Sequence, residues 1–217
     1  MKTAAALLAA ASILTLAGAA SAQSAAPEPV GKGTLIVTAR TTGVLPQADD
    51  AILTAAGADS GLKVDVSDDW MPTLGFTYFV ADHWAVEAIL GATQHEVRAK
   101  GGATDVAVHE TWVLPPIVTL QYRPTPNATI SPYVGAGVSY MAFFEGKDKN
   151  GFEVDLDNGF GMALQAGADW NLSGPWTLNL DAKKVWFDTD AKINNGALKS
   201  SVSLDPWVVS VGVGRKF

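Results

Sequence analysis

Apolar and polar residues alternate along the chain from Thr34 onward, with the period of two that is typical of β-strands. The breaks between the alternating runs are short and long in turn, and short turns at one end are typical of an outer-membrane barrel, where they lie in the periplasm. The pattern therefore predicts an all-β fold, an eight-stranded antiparallel up-and-down transmembrane β-barrel. The predicted strands lie at about 34–42, 70–80, 84–98, 106–122, 131–145, 158–170, 176–188 and 202–217.

Pairs of aromatic residues ten positions apart indicate strands that cross a membrane. An apolar band about 25 Å tall, crossed at about 40°, needs roughly ten residues of strand. The apolar residues between the members of each pair share their face, so this face is expected to contact lipid. The predicted aromatic girdle consists of Trp112 and Tyr122, Phe160 and Trp170, Trp176 and Trp186, and Trp207 and Phe217.

The opposite face of each strand is predicted to line the lumen. Because buried charges need partners, its polar members are expected to form a network in the periplasmic half that blocks a continuous path for water. A soluble barrel would have the inverse pattern, and its interior could hardly hold so many large aromatic side chains. The predicted lumen-lining residues are Arg40, Glu87, Val113, Pro115, Ile117, Gln121, Gln165, Asp181 and Lys183.

The start of the chain has the features of a targeting segment. A basic Lys2, an apolar run over 4–17 and small residues at 20–22 predict a cleaved secretory signal peptide over residues 1–22. Residues 23–33 contain two prolines and are expected to form an irregular periplasmic lead-in, with the barrel over residues 34–217.

Composition narrows the function classes. A net charge of −7 argues against nucleic-acid binding, which needs a basic face. The absence of cysteine removes thiolate metal sites and cysteine nucleophiles. His83, His95 and His109 are predicted in a turn and at two strand ends without sharing a site, and His109 and Glu110 point to opposite strand faces. We therefore expect no metal, no cofactor and no catalytic residues, and the protein is not expected to be an enzyme.

Two segments suggest a route for a solute. Pro115 and Pro116 lack the N–H groups that a closed ladder needs, so the wall should be interrupted there, either as a simple bulge or as a lateral opening for apolar solutes. The long predicted loop over 43–69 contains the apolar residues Ile52 and Leu53, which either pack on neighbouring loops or form an outer vestibule that collects apolar solutes.

Several motifs resemble those of the OmpW family of outer-membrane proteins. The resemblance covers essentially the whole mature chain and implies an outer-membrane location in a Gram-negative bacterium, with a narrow, partly hydrophobic lumen that admits small apolar compounds. The barrel would then be surrounded by lipid and lipopolysaccharide. The terminal Phe217 resembles the signal that the barrel-assembly machinery reads. The motifs are Leu114-Pro115-Pro116, Leu120-Gln121-Tyr122, the run 132–137, the segments 66–70 and 77–87, and the ending 205–217.

Three functions remain open from the sequence. The first is a channel for passive uptake of small hydrophobic molecules, which an apolar lumen favours. The second is a surface receptor, adhesin or stress-protective barrel, which a lumen plugged by Arg40, Glu87, Asp181 and Lys183 favours. The third is an enzyme acting on lipids, which needs a Ser/His/acid cluster that the sequence does not assemble.

Overall fold

A computed structural model describes residues 26–195 and 197–217, so the predicted signal peptide lies outside the described residues. The described chain is all-β, and it contains no helix with the length and apolar character of a membrane span. The strands are β1 Leu35–Leu45, β2 Ala51–Thr54, β3 Asp59–Val66, β4 Asp69–Ala81, β5 Trp84–Leu90, β6 Thr93–Gly101, β7 Thr104–Leu114, β8 Ile117–Tyr122, β9 Ile130–Asp148, β10 Val154–Leu156, β11 Gly159–Asn171, β12 Trp176–Trp186, β13 Asp188–Ile193, β14 Leu198–Ser203 and β15 Trp207–Lys216.

Eight of these strands close into an antiparallel ring in the order β1, β4, β5, β8, β9, β11, β12 and β15, with β15 paired again to β1. This confirms the predicted eight-stranded barrel. The chain ends meet in the ring, because Leu35 and Phe217 exchange backbone hydrogen bonds of 3.0 and 2.8 Å. Short connections at the same end, such as Asp82-His83, identify it as the periplasmic end.

The described part of the lead-in packs across the periplasmic end. Val30 is buried with Phe79 at the base of the lumen, and its backbone N–H and C=O both bond the side-chain amide of Asn127, at 2.6 and 3.0 Å. Glu28 donates its N–H to the carbonyl of Gly174 at 2.9 Å. Residues 27–33 therefore lie against the periplasmic turns.

At the outer end the wall continues as a second sheet, with the strand order β10, β13, β14, β2, β3, β6, β7 and the outer half of β9. The predicted strand ranges leave long breaks over 43–69, 99–105, 146–157 and 189–201. As loops these breaks are largely wrong, because most of their residues extend the strands. Tight turns close the extension, such as the one at Gly57, whose φ of 81° favours glycine.

The extension escaped the sequence pattern because its polarity is inverted. Along β3, Lys63 and Asp65 face outward while Val64 faces the lumen, and along β13 the outward positions are Asp190 and Lys192. Lipid covers the outside of the ring and demands apolar residues there, whereas water covers the outside of the extension. A search for strands with apolar outer faces therefore misses most of the strands above the outer girdle.

The predicted girdle residues lie on the outer surface in two bands. Seven of them are exposed, from 41% for Tyr122 to 78% for Phe160, and Trp112 is half-buried. Between the bands, outward-facing residues such as Leu164, Leu180 and Val211 are also exposed. This surface is the lipid-facing wall that the alternation predicts.

Candidate functional site

The outer half of the lumen is an apolar chamber, defined here by its lining residues. A cavity of about 60 Å³ lies within it. Its wall comes from inward positions of both the ring and the extension, so neither sheet builds it alone. The chamber is lined by Val44, Pro46, Ile52, Val64, Val66, Thr93, His95, Val97, Arg98, Val108, Thr111, Val113, Pro115, Met141, Phe143, Val154, Leu156, Thr189, Ala191, Ile193, Val202, Leu204, Pro206 and Val208.

The periplasmic half of the lumen is filled by a polar plug centred on Glu87. The Glu87 carboxylate is fully buried and accepts hydrogen bonds from Arg40, from Gln121 and, at 2.5 Å, from Gln165 Nε2. Lys183 Nζ lies 3.7 Å from Glu87 Oε1. The structure therefore brings together residues that the strand alternation placed on the lumen face.

Asp181 joins a second set of partners to the plug. Its carboxylate bonds Lys183 and accepts hydrogen bonds from Gln165 Nε2 at 2.5 Å and from Tyr133 OH at 2.8 Å. Tyr133 OH in turn accepts a hydrogen bond from Asn179 Nδ2 at 2.9 Å. The side chains of Asp181 and Lys183 are fully buried, so their charges are balanced inside the barrel.

Sequence reasoning missed a further ion pair of the plug, Arg123 with Asp169. Arg123 donates to Asp169 Oδ2 at 2.5 Å and to Gln121 Oε1 at 2.8 and 3.1 Å, and its guanidinium lies 4.3 Å from the ring centre of Tyr133. The predicted strand over 106–122 ends one residue before Arg123, which shares the strand face of Gln121. The plug therefore holds three buried cations, Arg40, Lys183 and Arg123, and three buried anions, Glu87, Asp181 and Asp169. They form four ion pairs, because Lys183 contacts both Glu87 and Asp181.

Glycines on neighbouring strands make room for the large side chains of the plug. A Cβ atom on Gly75 would lie 2.6 Å from Arg40 Nη1, and one on Gly212 would lie 2.6 Å from Arg40 Cγ. A Cβ atom on Gly167 would lie 2.5 Å from the Tyr133 ring. Close packing of the plug therefore depends on these glycines.

The barrel wall is interrupted beside the chamber at Pro115 and Pro116. Here β5 and β6 run beside β8 and β7. Pairing of β5 with β8 stops at Ile89 with Ile117, and pairing of β6 with β7 resumes at Thr93 with Val113. On the other side, the Pro116 carbonyl still accepts a hydrogen bond from Tyr140 N–H at 3.1 Å. The interruption therefore opens the ladder mainly toward the segment between β5 and β6.

The structure separates the two residues of the predicted vestibule. Ile52 lies in β2 rather than in a loop, is 2% exposed and lines the chamber. Leu53 lies on the opposite face of β2 and does not line the chamber. An apolar loop surface that contains both residues is therefore the wrong picture, because alternation along a strand sends neighbours to opposite faces.

The three histidines lie at separate places. His83 Nδ1 lies 2.9 Å from the Arg123 carbonyl at the periplasmic end, and His109 Nδ1 lies 2.9 Å from Asp148 Oδ1 in the extension. His95 lines the chamber. Within residues 26–195 and 197–217, no three histidine or carboxylate side chains are grouped so that they could hold a metal ion.

Comparisons with known proteins agree with this architecture. The model of the OmpW family matches residues 31–217. The outer-membrane protein y4mB of Sinorhizobium fredii is 37% identical over 182 residues, covering 82% of this chain and 77% of that protein. The dibenzothiophene metabolism operon protein PahQ of Pseudomonas aeruginosa is 32% identical over 160 residues, covering 72% and 76%.

A solved structure extends the similarity to the whole barrel. The crystal structure of the outer membrane protein OprG from Pseudomonas aeruginosa superposes with a TM-score of 0.81 at 31% identity, covering 87% of this chain and 98% of that one. Both y4mB and OprG are named as outer-membrane proteins of Gram-negative bacteria. The chain therefore belongs to the OmpW family and is an eight-stranded barrel of the outer membrane.

Proposed function

We propose that the protein gives small hydrophobic molecules passive passage through the outer surface into the outer membrane. The observation that carries this proposal is the division of the lumen into an apolar outer chamber and a charged inner plug. Apolar solutes gain by leaving water for the chamber, whereas the plug offers them only buried ion pairs. A route through the chamber therefore ends sideways rather than along the barrel axis.

The interruption at Pro115 and Pro116 supports a sideways exit. Pro115 lines the chamber, and the two prolines supply no N–H that could tie their segment to the strand beside it. The missing pairs lie between the two aromatic bands, because Trp112 in β7 and Tyr122 in β8 flank the two prolines along the chain. A solute that leaves there enters the hydrocarbon layer directly.

A relative's name is consistent with this class of solute. PahQ is named for a dibenzothiophene metabolism operon, and dibenzothiophene is a fused-ring apolar compound. A relative named for an operon that metabolises such a compound is consistent with a role of the family in the uptake of apolar compounds.

The plug itself favours a second candidate, a surface barrel whose function lies at its outer end. The buried pairs of Arg40 with Glu87 and Lys183 with Asp181 would serve such a barrel as a rigid core. The plug fills only the periplasmic half, however, and a structural barrel has no need of an apolar chamber above it. Uptake by cells decides between the two functions.

The test compares uptake of a radiolabelled apolar compound by cells that carry the protein, lack it, or carry Val113→Asp. Val113 is 7% exposed and lines the chamber, so a carboxylate there makes entry of apolar solutes unfavourable. Val211→Thr, on the lipid-facing wall, is the control. We expect uptake to require the protein and to fall with Val113→Asp alone. Equal uptake with and without the protein would refute the channel function and favour the surface barrel.

A further inference from the structure

His95 is a polar side chain in the wall of the apolar chamber. It lies in β6 above the outer girdle, paired in register with Thr111 of β7, and is 5% exposed. Its neighbours along the chamber wall include Val97 and Val113. An imidazole in such surroundings needs hydrogen-bond partners for its ring nitrogens.

One ring nitrogen is held by the backbone. His95 Nδ1 lies 2.7 Å from the carbonyl oxygen of Ser67. A carbonyl oxygen can only accept, so Nδ1 carries the proton and donates it. Ser67 is itself fixed to β6, the strand that carries His95. Ser67 N–H donates to the Glu96 carbonyl at 3.0 Å, and Glu96 N–H donates to Ser67 Oγ at 2.9 Å.

The other ring nitrogen, Nε2, is a free acceptor. In the neutral imidazole with its proton on Nδ1, Nε2 presents a lone pair. Nothing in the described chain hydrogen-bonds to this atom. Burial lowers the pKa of His95 below its ordinary value of 6.5, against smaller opposing effects of the Ser67 carbonyl and of Asp69 and Asp68, so the neutral form is favoured.

The remaining polar side chains of the chamber are already engaged. The Thr93 hydroxyl donates to the Val113 carbonyl at 3.4 Å, Thr111 to the Phe144 carbonyl at 3.3 Å, and Thr189 to the Asp157 carbonyl at 2.9 Å. The Arg98 guanidinium bonds Glu96 and Asp105 at 2.8 Å each. His95 Nε2 is thus the one side-chain nitrogen of the described chamber wall that has no partner.

We propose that the chamber is a binding site for apolar molecules that carry one hydroxyl group, such as alkylphenols, with His95 Nε2 accepting the hydroxyl hydrogen bond. This inference rests on the proposed function, because it names the preferred solute class of the same chamber. The apolar wall holds the hydrocarbon part, and the single acceptor orients the molecule. A pure hydrocarbon fits the same wall but leaves Nε2 without its partner.

The binding test uses the mature barrel in phospholipid nanodiscs, labelled with ¹⁵N-histidine. The chain has three histidines, so His83 and His109 serve as internal controls. The probes are p-cresol and p-xylene, which differ by a hydroxyl in place of a methyl group. We expect p-cresol to shift the His95 Nε2 resonance as that lone pair accepts a hydrogen bond, and p-xylene to leave it in place. Equal shifts with both probes, or no shift at Nε2 with saturating p-cresol, would overturn the inference.

Two variants separate hydrogen bonding from packing. His95→Leu keeps an apolar wall without the acceptor, and we expect p-cresol affinity to fall about three- to tenfold while p-xylene affinity is unchanged. His95→Gln keeps a donor for the Ser67 carbonyl and a carbonyl oxygen as acceptor, so it should restore p-cresol binding. A merely structural role for His95 would change both affinities alike, and that result would contradict the site.

Different experimental results would refute the hydroxyl-binding site and the proposed uptake function. If p-xylene uptake by cells requires the protein while His95→Leu leaves p-cresol affinity unchanged, only the hydroxyl site is wrong. If p-cresol binds at His95 but neither probe enters cells faster with the protein than without it, the site stands and passive uptake is wrong.

Discussion

Replacing Glu87 by glutamine should weaken the barrel more than any charge change on its surface. Glu87 is fully buried and accepts from Arg40, Gln121 and Gln165, with Lys183 Nζ 3.7 Å away. Glu87→Gln keeps the volume but turns one acceptor oxygen into an NH₂ group. In either amide orientation, this NH₂ faces a donor, and the positive charges of Arg40 and Lys183 lose a counter-charge.

The expected cost is about 3–5 kcal/mol in the free energy of unfolding, the range found when one partner of a buried ion pair is removed. The assay is urea unfolding of the barrel reconstituted in phospholipid, followed by tryptophan fluorescence and by heat-modifiable mobility on gels. Glu153→Gln is the matched control, because this side chain is exposed and its contact is a 3.1 Å hydrogen bond from Asn195. It should leave stability unchanged.

A loss below about 1 kcal/mol for Glu87→Gln would refute the reasoning, since that is the range of exposed ion pairs. It would mean that water reaches the plug and screens its charges. The plug could then no longer serve as the barrier that directs apolar solutes sideways.

Four further outcomes are expected. Ile52→Asn should lower uptake of apolar compounds, whereas Leu53→Asn on the opposite strand face should not; equal effects would argue against the chamber wall as the route. Replacing Pro115 and Pro116 by alanine restores two backbone donors, so uptake should fall at equal amounts of folded protein, and unchanged uptake would leave the interruption a simple bulge. Deleting Phe217 should lower the amount of folded protein in the outer membrane, as measured by heat-modifiable mobility; normal amounts with lost uptake would contradict an assembly role. In planar bilayers the wild-type protein should show no steady conductance of general-porin size, and such a conductance would show that the plug does not block ions.

The sequence was sufficient for the barrel and for the direction in which most side chains point. Side chains alternate across a strand whatever its neighbours are, so the faces of Glu87, Asp181 and Trp176 follow from local order alone. The aromatic spacing then decided which face meets lipid, because the thickness of the apolar band sets the length of the crossing.

The sequence pattern failed where the solvent outside the barrel changes. Above the outer girdle water replaces lipid, the outward positions become Lys63 and Asp65, and the predicted loops proved to be strands. The inverted alternation was present in the sequence, but its meaning depends on which solvent covers each face. Arg123 was missed for a different reason, because the predicted strand ends at residue 122 and the ion-pair partner, Asp169, lies in another strand.

Only the tertiary structure decided which inward residues meet. The ion pair of Arg40 with Glu87 joins residues 47 positions apart, and the bond from Gln165 to Glu87 spans 78 positions. Those contacts depend on the stagger between strands, which closure of the whole ring sets and no single strand encodes. In the extension, the pairing of β3 with β6 brings His95 against the Ser67 carbonyl and leaves its Nε2 in the chamber wall. Local alternation thus determines which residues are inside, and ring closure determines their partners.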